Sequence, residues 1–192
     1  MHINGTVTGE IKHVPFGSIP VSIGFQKYLY RCPDCGNCIS EPVEFQADGH
    51  RITKQLQQMV EDCLALQDEW CQWHDCEGSP SLAAENSAIN QVLAHCSAFR
   101  NLCGGSLYVD GGIAAFALGE RLDRDSVGVH FEKGLASIRG IYQVINQIFV
   151  QRECADVRWV NRAQDLNEEG LRHAKESYRP AGFLQKSRVA IA

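Results

Sequence analysis

The sequence predicts an α/β (α+β) protein, with a mixed central sheet flanked by helices and a small N-terminal β segment and helix ahead of it. Three observations carry this expectation. Runs of strand-like and helix-like spacing are interleaved along the chain: helix, helix, three strands, helix, strand, helix, strand. Asp110-Gly111-Gly112 separates two of the strand-like runs, and glycine tolerates the positive φ that a hairpin turn needs. At 192 residues and 44% hydrophobic composition the chain is long enough to bury a core, roughly 70% of the surface its unfolded form exposes.

Taken in order, Val21–Arg31 is rich in β-branched and aromatic residues and reads as a strand. It leads into Cys32-Pro33-Asp34-Cys35-Gly36, a knuckle pattern in which two thiolates grip one face of a tetrahedral ion. Cys38 is the next donor, so zinc on Cys32, Cys35 and Cys38 is one expectation; reduced thiols in a turn are the other. After an extended stretch, Ala47-Asp48-Gly49 marks a turn, and His50–Leu66 is helical, with Ile52, Leu56, Met59, Val60, Cys63 and Leu64 on one stripe. The helix continues to Cys76. Cys71, His74 and Cys76 do not share a helical face, so Trp70 and Trp73 are expected to pack and the cysteines to act as small apolar residues.

Ser81–Arg100 is a second helix with Ile89, Val92, Leu93 and Cys96 buried. Strands Ser106–Val109, Ile113–Leu122 and Ser126–Glu132 follow. Regular alternation puts His130 and Glu132 on one side of the third strand, Phe131 and Lys133 on the other. Gly134 releases the chain toward a helix near Ser137, whose N-terminus, with Arg139, suits a phosphate or carboxylate. A plain amphipathic helix with Ile138, Ile141, Ile145, Ile148 and Phe149 packed, and Tyr142 and Asn146 marginal, reads equally well. Val157–Arg162 is a strand, Asp165 caps the next helix with Glu168 in a capping box, and Lys175 and Tyr178 neighbour one another on it. Pro180 ends that helix, and Phe183–Ile191 is a last strand.

Charge is unevenly spread. Residues 61–132 carry three Lys/Arg against twelve Asp/Glu, and residues 133–188 carry ten against six. The basic half suits a small phosphorylated ligand or an RNA end better than wrapped duplex DNA; a solvated surface is the plain alternative. No apolar run approaches the roughly 20 residues of a membrane span, and the first residues lack the pattern of a signal peptide. A cytoplasmic protein is expected, with its nine cysteines as free thiols or metal ligands and not as disulfides.

Two resemblances add to this reading. IKHVPFGSIPVSIGFQKYLYRCPDCG with HRITKQLQQMVED, over about residues 7–64, resembles the N-terminal zinc-ribbon region of insertion-sequence transposases. That resemblance implies zinc and a DNA partner for an N-terminal unit, 1–64. ENSAINQVL, GGSLYVDGGIAAFALGERL, SVGVHFEKG, RGIYQVINQIF and VRWVNRAQDLNEEGLRHAKESYRP together resemble the C-terminal half of phosphatidylglycerol lysyltransferase-like proteins, which have the GNAT acyltransferase fold. This second resemblance covers about residues 65–190. It implies an acyl- or aminoacyl-transferase unit, 65–192, with acyl-CoA or aminoacyl-tRNA as donor. It also implies Glu132, Asp165 and Tyr178 as catalytic groups, and Lys133, Arg139, Asn161, Arg162 and Lys175 as substrate-binding groups. A zinc-ribbon nucleic-acid-binding protein, or an inactive composite of the two segments, are the alternative readings.

Overall fold

The computed structural model describes residues 2–16, 19–163 and 169–184. Two antiparallel strands, β1 (His2–Phe16) and β2 (Ile19–Arg31), form a long ribbon, and β3 (Cys38–Ser40) adds to the end of β2. The sequence pattern assigns no element before Val21. The residues of β1 alternate too weakly around Gly5 and Gly9 to signal a strand, and β1 owes its conformation to pairing with β2 from His2↔Arg31 to Phe16↔Ile19.

Helices α1 (Lys54–His74) and α2 (Pro80–Ala94) follow. The Thr53 hydroxyl caps α1 by accepting from the Leu56 N–H, which sets its start four residues later than the apolar pattern suggests. Helix α1 runs unbroken through residue 64, and its Val60 packs against both the cluster under the ribbon (Ala47, Ile52, Leu56) and the cluster under the second sheet. At its C-terminal end Asp75 turns left-handed at φ 47°, and Cys76 folds back to form a disulfide with Cys71. This corrects the expectation of free cysteines, because helical spacing stops applying at the cap. Trp70 stacks on His74, but Trp73 is exposed. Helix α2 ends at Ala94 and not at Arg100, giving way to a short 3-10 turn, Cys96–Ala98.

The second sheet has the order β4 (Leu102–Val109), β5 (Gly112–Arg121), β6 (Ser126–Gly134), β7 (Trp159–Asn161), with β7 parallel to β6 and the other pairs antiparallel. It is mixed and flanked by helices, as the sequence predicts. Phe116, Leu118 and Phe131 meet α1 and α2 on one face, while Ala115, Ala117, Val127 and Val129 meet α3 (Ile141–Glu153) on the other. Full burial of Phe116 stabilises by roughly 1.5–3 kcal/mol. Gly119 is needed where the sheet and α3 close up: a Cβ there would lie 2.7 Å from the Gly128 carbonyl and 2.7 Å from the Phe149 ring. Helix α4 (Glu169–Glu176) comes last among the described elements. Asp165, Glu168 and residues 185–191 of the expected final strand lie outside the described residues, and Phe183 and Leu184 are not in a strand.

The knuckle is a hydrogen-bonded turn: the Gly36 N–H donates to the Cys32 carbonyl at 3.0 Å, and the Cys32 N–H to the Asn37 carbonyl at 2.9 Å. Backbone N–H groups of Cys35 and Asp34 hold the Cys32 thiol below its ordinary range. Cys38 instead opens β3, opposite Arg31. Among the described residues no group of three or more His, Cys, Asp or Glu is gathered closely enough to hold a metal, so the expected zinc site of Cys32, Cys35 and Cys38 finds no support.

Candidate active site

Strand β6 determines the site in two ways. Its parallel pairing with β7 lasts only from Ser126↔Trp159 to Gly128↔Asn161. Beyond that, among the described residues, no strand pairing continues along the edge of β6 at His130–Gly134. Second, the pairing of β6 with β5 shifts register between Leu118 and Gly119, leaving His130 as an extra, bulged residue. The bulge overturns the expected alternation. Phe131 and Lys133 do share the α1/α2 face, but His130 joins their side and bonds Glu120, while Glu132 faces α3.

On the α3 face, the Asn146 amide donates to Glu132 Oε1 at 2.7 Å, and Arg162 Nη2 donates to Glu132 Oε2 at 2.5 Å. The side chains of Glu132 and Arg162 are 13% and 23% exposed, so water screens this ion pair little. The ring of Tyr178 lies against the guanidinium, its centroid 4.2 Å from Cζ. Arg162 Nε and Nη1 are buried and meet no hydrogen-bond partner among the described residues. Asn161 helps aim this arginine, because its side-chain oxygen accepts from the Ala163 N–H at 2.9 Å and Ala163 turns left-handed at φ 55°.

On the opposite face, Lys133 is buried, bonded to Glu85 of α2 at 2.7 Å and seated 3.5 Å over the Trp70 ring of α1. Burial pulls its pKa down, and Glu85 partly restores it. The Trp70 indole N–H donates to the Tyr142 hydroxyl at 2.8 Å, and that hydroxyl lies 3.4 Å from the Gly134 carbonyl. Burial raises the Tyr142 pKa, and the carboxylates of Glu85 and Glu132 both push the same way. Tyr142 thus closes the end of β6, between the two carboxylates.

Of the residues singled out in the sequence, the structure gathers Glu132, Arg162 and Tyr178, with Asn161 beside them. Lys133 stands behind the sheet. Arg139 is exposed in the loop before α3, whose first turn follows Gly140 at φ 81°. Lys175 is half-buried on α4, and Asp165 lies outside the described residues. The sequence reading missed Asn146, Glu85, Trp70 and Tyr142. One signal was available: Tyr142, Asn146 and Phe149 recur at i, i+4, i+7, so a buried Phe149 carries the other two toward the sheet.

A mixed sheet with helices on both faces, whose parallel edge pair ends beside a carboxylate–guanidinium cluster, defines an α+β domain with a candidate site at that edge. The chain belongs to the phosphatidylglycerol lysyltransferase C-terminal family, whose model matches residues 44–190. The match begins within the segment that resembles a transposase zinc ribbon, and that resemblance has no support of its own. Among solved structures, the chain is similar to a conserved protein of unknown function from Bacteroides thetaiotaomicron VPI-5482. The identity is 38% and the TM-score 0.62, over 65% of this chain and 42% of that one. The chain therefore spans less than half the length of this relative. It is also similar to an aminoglycoside 6'-N-acetyltransferase from Acinetobacter haemolyticus (18% identity, 71% of this chain and 92% of that one, TM-score 0.42). A ribosomal-protein-alanine N-acetyltransferase from Brucella melitensis biovar Abortus 2308 gives 13% identity over 71% and 95%, with a TM-score of 0.48. No protein of curated function matches the chain. No helix among the described residues is long and apolar enough to cross a membrane.

Proposed function

We propose that the chain carries the transfer site of an acyl- or aminoacyl-transferase, beside the point where the β6–β7 pairing ends, and that its donor is an aminoacyl-tRNA or an acyl-CoA. The observation that supports this most is Arg162. One of its nitrogens is anchored to Glu132, while Nε and Nη1 are buried with no partner among the described residues. Buried donors ordinarily have an acceptor, and a carbonyl or phosphate oxygen of a substrate would answer them.

In this reading an acceptor amine or hydroxyl adds to the acyl carbon, and the negative charge that develops on the carbonyl oxygen is met by the Arg162 N–H groups. Glu132 takes the proton that the acceptor loses, since each of its oxygens keeps a free lone pair beside the bonds to Asn146 and Arg162. The C–O or C–S bond to the donor then breaks, and Tyr178 returns a proton to the leaving oxygen or sulfur. On the family resemblance, Arg139 is assigned to the phosphates of the donor, Asn161 and Lys175 to substrate binding, and Asp165 to orienting the acceptor. Lys133, held by Glu85 and Trp70, positions the end of β6.

The test is retention of labelled aminoacyl-tRNA on filters by the purified protein, with excess coenzyme A as competitor. Retention that survives coenzyme A and falls in Arg162→Ala identifies an aminoacyl-tRNA donor, and loss to coenzyme A identifies an acyl-CoA donor. Glu132→Gln should retain the donor yet lower transfer about 10²- to 10⁴-fold. A folded protein that retains neither donor would overturn the proposal.

A further inference from the structure

We propose that a second cavity, on the α2 side of the sheet, binds a small zwitterionic amino acid with an apolar side chain. The cavity has a volume of about 220 Å³ and lies between α2, the segment after the 3-10 turn, and strands β5 and β6. This is below the roughly 300–1,000 Å³ of pockets for drug-sized ligands, so its occupant is small. It stands apart from the Glu132–Arg162 cluster, which is on the α3 face, and holds whether or not the transferase reading does.

Three features point to the ligand. Phe99, Leu118 and Phe131 supply apolar wall. The polar part is a carboxylate–imidazole pair, Glu120 Oε2 and His130 Nε2 at 3.2 Å, each side chain nearly half exposed to the cavity and solvent. Both His130 and the next residue, Phe131, line the same space. A regular strand sends successive side chains to opposite faces, so only the bulge at His130 makes this possible. The bulge disrupts the β5–β6 ladder locally and brings an imidazole to the edge of an apolar hollow.

Charge completes the match. A carboxylate and an imidazole ring nitrogen can each accept a hydrogen bond, so together they suit an ammonium group. Arg100 lines the cavity as well, is exposed, and makes no ion pair among the described residues. A guanidinium at that rim suits a carboxylate. An ammonium, a carboxylate and a short apolar group together describe an α-amino acid such as leucine or phenylalanine.

The experiment is an amide-resolved NMR titration of the full chain with L-leucine and L-phenylalanine. Leucine amide lacks the carboxylate, 4-methylpentanoate lacks the amine, and both serve as controls. Saturable shifts at Phe99, His130 and Phe131 are expected, with affinity falling about tenfold or more in Glu120→Gln and in Arg100→Ala. Both substitutions are at solvent-exposed side chains, and an otherwise unchanged spectrum reports that the fold is kept. Equal binding by the amide or by the deaminated acid overturns the zwitterion assignment. The absence of shifts up to about 10 mM of any of these compounds overturns the site.

Discussion

Glu153 shows how one side chain can carry a pH dependence that its position in the sequence does not announce. It ends α3, is buried, and is pushed up to about 7, first by burial and against the pull of Arg121 and Arg152. Between the ordinary carboxylate range and pH 7 the folded protein therefore holds a proton that the unfolded chain has released. Stability should fall as pH rises through that window and level off above it, by at most about 3 kcal/mol. Glu153→Gln should remove most of the difference in Tm between pH 5 and pH 8; an unchanged difference would assign the slope to other groups. Glu132 and Arg162 were legible as single residues because charged side chains at strand ends suggest a site. Asn146 and Glu85 were not, because each lies on a helix and meets β6 only through the packing of that helix on the sheet.

At the scale of elements, the end of α1 is the most informative piece. The Cys71–Cys76 disulfide closes a short loop just past Trp70, whose ring carries Lys133 and His74 on its surface. A loop of this length contributes on the order of 2 kcal/mol in the chain-entropy view. Cys76→Ala, or reduction by dithiothreitol, should therefore lower Tm by several degrees. The same change should alter Trp fluorescence if the loop also holds Trp70 in place. Loss of stability with an unaltered emission spectrum would separate the two roles. The spacing of Cys71 and Cys76 argued against a shared helical face, and it was the left-handed turn at Asp75 that brought them together. Strand β6 teaches the same point: its span was read nearly correctly, but one bulged residue moved His130 to the side of Phe131 and Lys133, away from that of Glu132.

For the whole molecule, the ribbon β1–β2 and the second sheet differ in how they are supported. Residues 2–8 of the ribbon are exposed, whereas Ile11 near its base is buried. Lys12 joins the body through backbone bonds with Arg51 and Thr53. Strands β5 and β6 lie between two layers of helix. Amide exchange should be faster in the outer half of the ribbon than in residues 113–118 and 127–133, on the order of 100-fold or more. Uniform protection across both sheets would mean that the ribbon is covered in solution.

By itself, the sequence determined the fold class and the approximate positions of α1 to α3 and of β4 to β6, and it named Glu132, Arg162 and Tyr178 of the candidate cluster. These follow from local periodicity and turn chemistry, such as Asp110-Gly111-Gly112, which act over a few residues. Only the tertiary structure decided that β1 is a strand, that Cys71 and Cys76 are joined, and that His130 shares the face of Phe131 and Lys133. It also decided that Asn146, Glu85, Trp70 and Tyr142 surround the end of β6. Each of these depends on contacts between residues remote in sequence, or on a single bulge or left-handed residue that changes the phase of everything after it.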